Sequence, residues 1–99
     1  MPITRTLKIE EEGLEASPAV FINDLAIGEP NDDGEVEIEV NVGENVLTYD
    51  VHGAGGKATF TIEGEPPITV PVDASWPFEV KIPLNRTFEL SNIYFMIGG

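Results

Sequence analysis

His52 is the only histidine in the chain, and Asp50 stands two residues before it. On a strand, residues i and i+2 share a face, so the two side chains can meet. Ser17, Ser75 or Ser91 would complete the residue types of a hydrolytic triad. The spacing argues against that use. No serine sits in a nucleophile elbow, and any strand end provides an i, i+2 pair, so His52 reads as structural or solvent-facing. Gly55-Gly56-Lys57 has the ending of a phosphate loop. The required first glycine would fall at Val51, and Ala58 occupies the place of the magnesium-binding Ser or Thr. A hairpin loop is the sounder reading.

The segment Glu29-Pro30-Asn31-Asp32-Asp33-Gly34-Glu35 is the richest in hard oxygen donors. Calcium takes about six to eight oxygens, and Glu29, Asp32, Asp33 and Glu35 are the candidate ligands. The spacing of an EF-hand loop is absent, however. Proline fixes φ, Asx side chains bond the backbone and glycine takes the left-handed position, so the same residues make a good turn. A plain turn is the expectation, with a weak calcium site as its competitor. No other cofactor is implied.

Trp76 and Tyr94 are the residues with which a sugar-binding surface would stack. Trp76 shares its alternation with Phe78, Val80, Ile82 and Leu84, which assigns it to a core face. Tyr49 falls inward in the same way. Glu35, Glu37 and Glu39 stand roughly 6.5–7 Å apart along one strand face, near the phosphate spacing of a nucleic acid. An acidic mimic of nucleic acid would be built so, but a solvated strand face gives the same pattern.

Around these residues the chain is nearly all of period two. Glu35–Val42 puts Val36, Ile38, Val40 and Val42 on one side and three glutamates on the other. After a turn at Gly43-Glu44-Asn45, Leu47, Tyr49 and Val51 continue the pattern, and Gly53–Gly56 reads as the next hairpin loop. Phe60 and Ile62 follow, then Ile68, Val70 and Val72 beyond Pro66-Pro67. Pro71, Pro77 and Pro83 predict edge strands, because proline cannot donate to a ladder. The run Ile93–Ile97 is apolar throughout and predicts a strand buried on both faces. Ile3, Leu7 and Ile9 make a first strand, and Val20–Ile27 one or two short ones. Seven or eight short strands at even spacing predict one all-β domain over residues 1–99: an antiparallel β-sandwich, Ig-like or jelly-roll-like, with little or no helix.

Composition narrows the function classes. Cysteine is absent, which removes disulfide frameworks and thiol chemistry. No apolar run approaches the roughly 18 residues of a membrane helix, and Glu10-Glu11-Glu12 stands where a signal peptide would need apolar residues. Production in the cytoplasm, or residence in a virion, is the expectation for location. The net charge is −13, and the first half carries it: no Lys or Arg falls between positions 9 and 56. That field repels nucleic acid and anionic membranes, so neither is expected as a partner through a basic surface. It favours a basic patch on a protein.

The strand count and turn spacing resemble accessory β-sandwich modules of carbohydrate-active enzymes, adhesins and virion surfaces. No pair of groups has the spacing that acid–base or nucleophilic work demands, so no enzyme activity is expected. A structural or assembly protein is the leading reading, most concretely a virion (phage capsid) decoration or cement subunit that self-assembles or joins a larger protein assembly. A carbohydrate-binding or adhesive module, calcium-dependent in one form, is the alternative, and an acidic nucleic-acid mimic the third. The candidate interface is Ile3, Arg5, Leu7 and Lys8, on an N-terminal arm or first strand (residues 1–10) that would offer two cations to a neighbour's acidic band.

Overall fold

The computed structural model describes residues 2–64, 68–69 and 76–97. Nine strands are present among them: β1 (Pro2–Glu12), β2 (Ala19–Ile22), β3 (Leu25–Ala26), β4 (Glu35–Asn41), β5 (Gly43–His52), β6 (Lys57–Glu63), β7 (Ile68–Thr69), β8 (Phe78–Lys81) and β9 (Phe88–Ile97). No described residue is helical. Sheet I has the order β4-β1-β6-β8 and sheet II the order β3-β2-β5-β9-β7, and every pairing is antiparallel. The all-β sandwich expected from the alternation is what forms.

The core lies between the two inner faces, where alternate residues of each strand meet. Leu7, Val40 and Phe60 from sheet I, with Ile82 just past the end of β8, are sealed against Leu47, Val51 and Phe95 from sheet II. Trp76 and Phe78 are half-buried against this core, with Trp76 edge-on to Phe95 at 5.6 Å between ring centroids. Glu37 and Glu39 point to solvent while Ile38 and Val40 are buried, as the alternation of β4 predicts. β8 is an edge of sheet I, bracketed by Pro77 and Pro83, which limits it to four paired residues.

Several expectations are corrected. The turns at Gly43 and at Gly53–Gly56 are not hairpins, because β4 and β6 belong to sheet I and β5 belongs to sheet II. Each turn carries the chain across the sandwich. Val42 is exposed rather than inward, since the crossing at Gly43 (φ 102°) breaks the alternation. Leu84 is likewise exposed, lying beyond the end of β8 with its side chain against Gly55. The run 93–97 is not buried on both faces: Ile93, Phe95 and Ile97 are, whereas Tyr94 and Met96 are open to solvent. The strand expected to carry Val70 and Val72, with Pro71, lies outside the described residues.

The residues of the expected N-terminal interface, Ile3, Arg5, Leu7 and Lys8, are divided between the two faces of β1. β1 sits between β4 and β6, with Leu7 paired to Val36 on one side and to Ile62 on the other. From Thr6 to Lys8 both edges of β1 are paired, whereas Pro2–Arg5 pair with β4 alone among the described residues. Arg5 and Leu7 face the core, at 4% and 0% exposure, and Ile3 packs half-buried beside them. The Arg5 guanidinium donates from Nη1 to the Glu63 carbonyl at 3.3 Å. Lys8 lies on the outer side, across from Glu35 and Thr61.

Candidate functional site

Because β-strand side chains alternate, every residue inward in sheet II leaves its neighbours outward. The outward set on β9 is Phe88, Leu90, Asn92, Tyr94 and Met96, and on β5 it is Glu44, Val46, Thr48, Asp50 and His52. Register places them in pairs: Phe88 beside His52, Leu90 beside Asp50, Asn92 beside Thr48, Tyr94 beside Val46, and Met96 beside Glu44. β2 adds Ala19 next to Asp50 and Phe21 next to Thr48. The result is a sheet face that no other element covers among the described residues. Phe21 is 37% exposed, Phe88 43%, Leu90 60%, Tyr94 61% and Met96 44%.

The opposite outer face has another chemistry. Sheet I turns Glu35, Glu37 and Glu39 outward on β4, next to Thr4, Thr6 and Lys8 on β1. Lys57 reaches Glu12 at 3.4 Å and Glu79 at 3.8 Å, and Lys81 reaches Glu79 at 3.3 Å. These exposed pairs are worth little in stability, about 0–1 kcal/mol each. They do mark this side as the solvated one. The threonines beside the glutamate row also interrupt the second row of carboxylates that a nucleic-acid mimic would need.

At one end of the aromatic face, His52 Nε2 meets Asp50 Oδ1 at 2.9 Å, and its ring stacks on Phe88 at 5.8 Å. The Arg86 guanidinium lies 5.9 Å from the same Phe88 ring and bonds Glu89 at 3.1 Å. Asp50 and His52 thus come together as their spacing predicts, but no described serine joins them. Ser91 belongs to the inner side of β9, opposite Tyr49; Ser17 is in the β1–β2 loop; Ser75 lies outside the described residues. Tyr49 is buried, which pushes its hydroxyl above the ordinary phenol range. A hydrogen bond to Ser91 opposes that shift, and the Glu89 charge adds to it.

The acidic loop before β4 is organised as a turn. Asn31 Oδ1 accepts the backbone N–H groups of Asp33 at 2.9 Å and Glu35 at 3.0 Å, and the Gly34 carbonyl accepts from Ile9 N–H at 2.8 Å. Gly34 has φ 78°, and a Cβ there would collide with the Ile9 carbonyl oxygen, so this position requires glycine. Glu29, Asp32 and Asp33 line an open cleft of about 530 Å3 together with Glu10 and Glu11. No three acidic or histidine side chains converge closely enough to hold a metal among the described residues. Lys57 of the glycine loop points to Glu12 and Glu79, and its loop is a crossing between sheets.

The aromatic face is what sequence reasoning missed. A signal for it was present: an apolar run on a strand has two apolar faces, and a two-layer fold covers only one of them. Comparison with known proteins gives no match to this chain, neither a family model, nor a curated protein, nor a solved structure.

Proposed function

We propose that this is a non-enzymatic structural or assembly protein, and that it acts through protein–protein contacts made by the outer face of sheet II. One observation carries the reading: five large apolar side chains, Phe21, Phe88, Leu90, Tyr94 and Met96, stand exposed on a single sheet face. Soluble monomers seldom leave an apolar patch of several hundred Å2 open to water, and such patches mark interaction surfaces. Aromatic residues and methionine are also the types enriched where proteins meet. A decoration or cement subunit on a virion is the concrete form of this role.

A photo-crosslinking residue at position 94 tests the proposal, with position 6 on the opposite sheet as control. In the cells or particles that contain the protein, position 94 is expected to yield adducts with protein and position 6 to yield few. Absence of protein adducts at position 94 would sink the reading.

The exposed aromatic rings also support a second reading, the carbohydrate-binding module. Phe21 and Tyr94 lie about 12 Å apart, two strands over and two residues along. Asn92 and Thr48 between them could bond sugar hydroxyls. Leu90, Met96 and Val46 weigh against it, because they offer a hydroxyl-rich ligand nothing. Retention on insoluble polysaccharides that Tyr94→Ala abolishes would favour this second reading over the first.

A further inference from the structure

The face has a pattern that bears on its occupant. Read outward along β9, the residues are Phe88, Leu90, Asn92, Tyr94 and Met96: apolar, apolar, amide, apolar, apolar. The sequence is symmetric in character about Asn92. On β5, the neighbouring column runs from His52 to Glu44 about Thr48, with an imidazole at one end and a carboxylate at the other. Such a surface is complementary to itself when turned end for end. A two-fold axis in the plane of the interface, crossing the strands at Thr48 and Asn92, sets Phe88 against Met96 and Leu90 against Tyr94 of the second copy. The same rotation sets His52 against Glu44 and Val46 against Asp50, whose carboxylate stays bonded to His52 of its own chain. Self-complementarity of this kind is what an isologous contact needs.

Charge distribution permits the contact despite the net charge of −13. Among the described residues, the outer face of sheet II carries two carboxylates, Glu44 and Asp50, and Asp50 is already bonded to His52. The glutamate row of sheet I is on the far side. With layers about 10 Å apart, stacking two sandwiches on sheet II separates the two sheet I faces by roughly 30 Å, several times the Debye length of about 8 Å at physiological salt. From strand spacing and rise, the face of β2, β5 and β9 measures roughly 500 Å2 a side, about 1,000 Å2 in all, below the roughly 1,200–2,000 Å2 of stable interfaces, so the contact is a weak, concentration-dependent one.

We infer that a second copy of this chain occupies the face, forming a two-fold dimer packed sheet II to sheet II. The inference rests on the assembly reading above and names its partner. Sedimentation equilibrium over a concentration series is expected to give a mass approaching twice the 10.7 kDa of one chain. Added salt should favour the dimer, because it screens repulsion and strengthens apolar burial. Leu90→Glu and Tyr94→Glu should each give a monomer with unchanged circular dichroism, while Thr6→Glu on the other face should leave the dimer intact.

The geometry has its own test. The chain has no cysteine, so Asn92→Cys supplies a single thiol near the axis. A bis-maleimide of about 10 Å reach, matching the spacing of stacked sheets, should link Asn92→Cys chains in pairs and leave Thr6→Cys chains unlinked. A wild-type chain that stays monomeric throughout the series overturns the second copy. If position 94 still crosslinks to a protein of different mass, the assembly reading survives that failure; if it captures none, both fall. A dimer that persists in Leu90→Glu and Tyr94→Glu would place the contact elsewhere and also overturn the inference.

Discussion

Asn23 and Asn45 are joined side chain to side chain, Asn23 Nδ2 donating to Asn45 Oδ1 at 2.9 Å. Asn45 is buried at 3% exposure and spends its whole amide at the corner where the chain leaves sheet I for sheet II. Its Oδ1 also accepts from Asn41 N–H at 2.7 Å, and its Nδ2 donates to the carbonyls of Asn41 at 2.8 Å and Gly43 at 3.1 Å. Asn23, in the β2–β3 turn with φ 51°, returns the link by accepting from Val46 N–H at 2.9 Å. Asn45→Leu removes all four bonds of the Asn45 amide and leaves part-buried backbone groups of Asn41 and Gly43 without these partners. The expected loss is about 2–4 kcal/mol in a denaturant titration, against about 1 kcal/mol for Asn23→Ala.

Deleting residues 1–8 should abolish cooperative unfolding. The deletion removes Leu7 from the core and strips β4 of its strand partner. A thermal melt within a few degrees of the full chain would mean that β1 is dispensable, contrary to its central place.

Core substitutions should grade with burial. Phe60 is fully buried beneath Tyr49, so Phe60→Ala is expected to cost about 3–5 kcal/mol. Phe78 is only half-buried at the edge, and its replacement by alanine should cost visibly less in the same titration.

Gly34→Ala should destabilise the domain by about 1–3 kcal/mol, because the new methyl group meets the Ile9 carbonyl in a left-handed conformation. Asn31→Ala should cost about 1 kcal/mol through the two N–H groups it leaves unbonded by the turn. Calcium is expected to raise the melting temperature only by general screening. A rise that saturates at one ion per chain and disappears in Asp33→Ala would restore the calcium site.

Tyr49 links stability to alkaline pH. Its folded-state pKa is raised, so the unfolded chain loses this proton first as pH climbs. Stability from this group is therefore intact below about pH 10 and falls as pH rises from there through the folded-state value. Denaturant titrations on either side of pH 10 should show a smaller decline for Tyr49→Phe than for the wild type. Equal declines would remove Tyr49 from the account.

Alternation in the sequence was enough to determine the sandwich, most of its inward residues and the solvent position of Glu37 and Glu39. The reason is local: a strand has period two, and water divides its faces. Turn chemistry at Asn31–Gly34 was legible for the same reason, since an Asx side chain acts on backbone groups within a few residues. Which strands pair is a long-range matter, and there the sequence was silent. Nothing in Ile3–Ile9 says that β1 lies between β4 and β6, or that Arg5 faces the core beside Leu7. Glycines at 43 and 53 suit a hairpin and a crossing between sheets equally well, and only the demand that each inner face be covered selects the crossing. The aromatic face was decided in the same way. Tyr94 and Met96 read as buried because their run is apolar, but two layers have one interior, so the second face of β9 is left to water or to a partner.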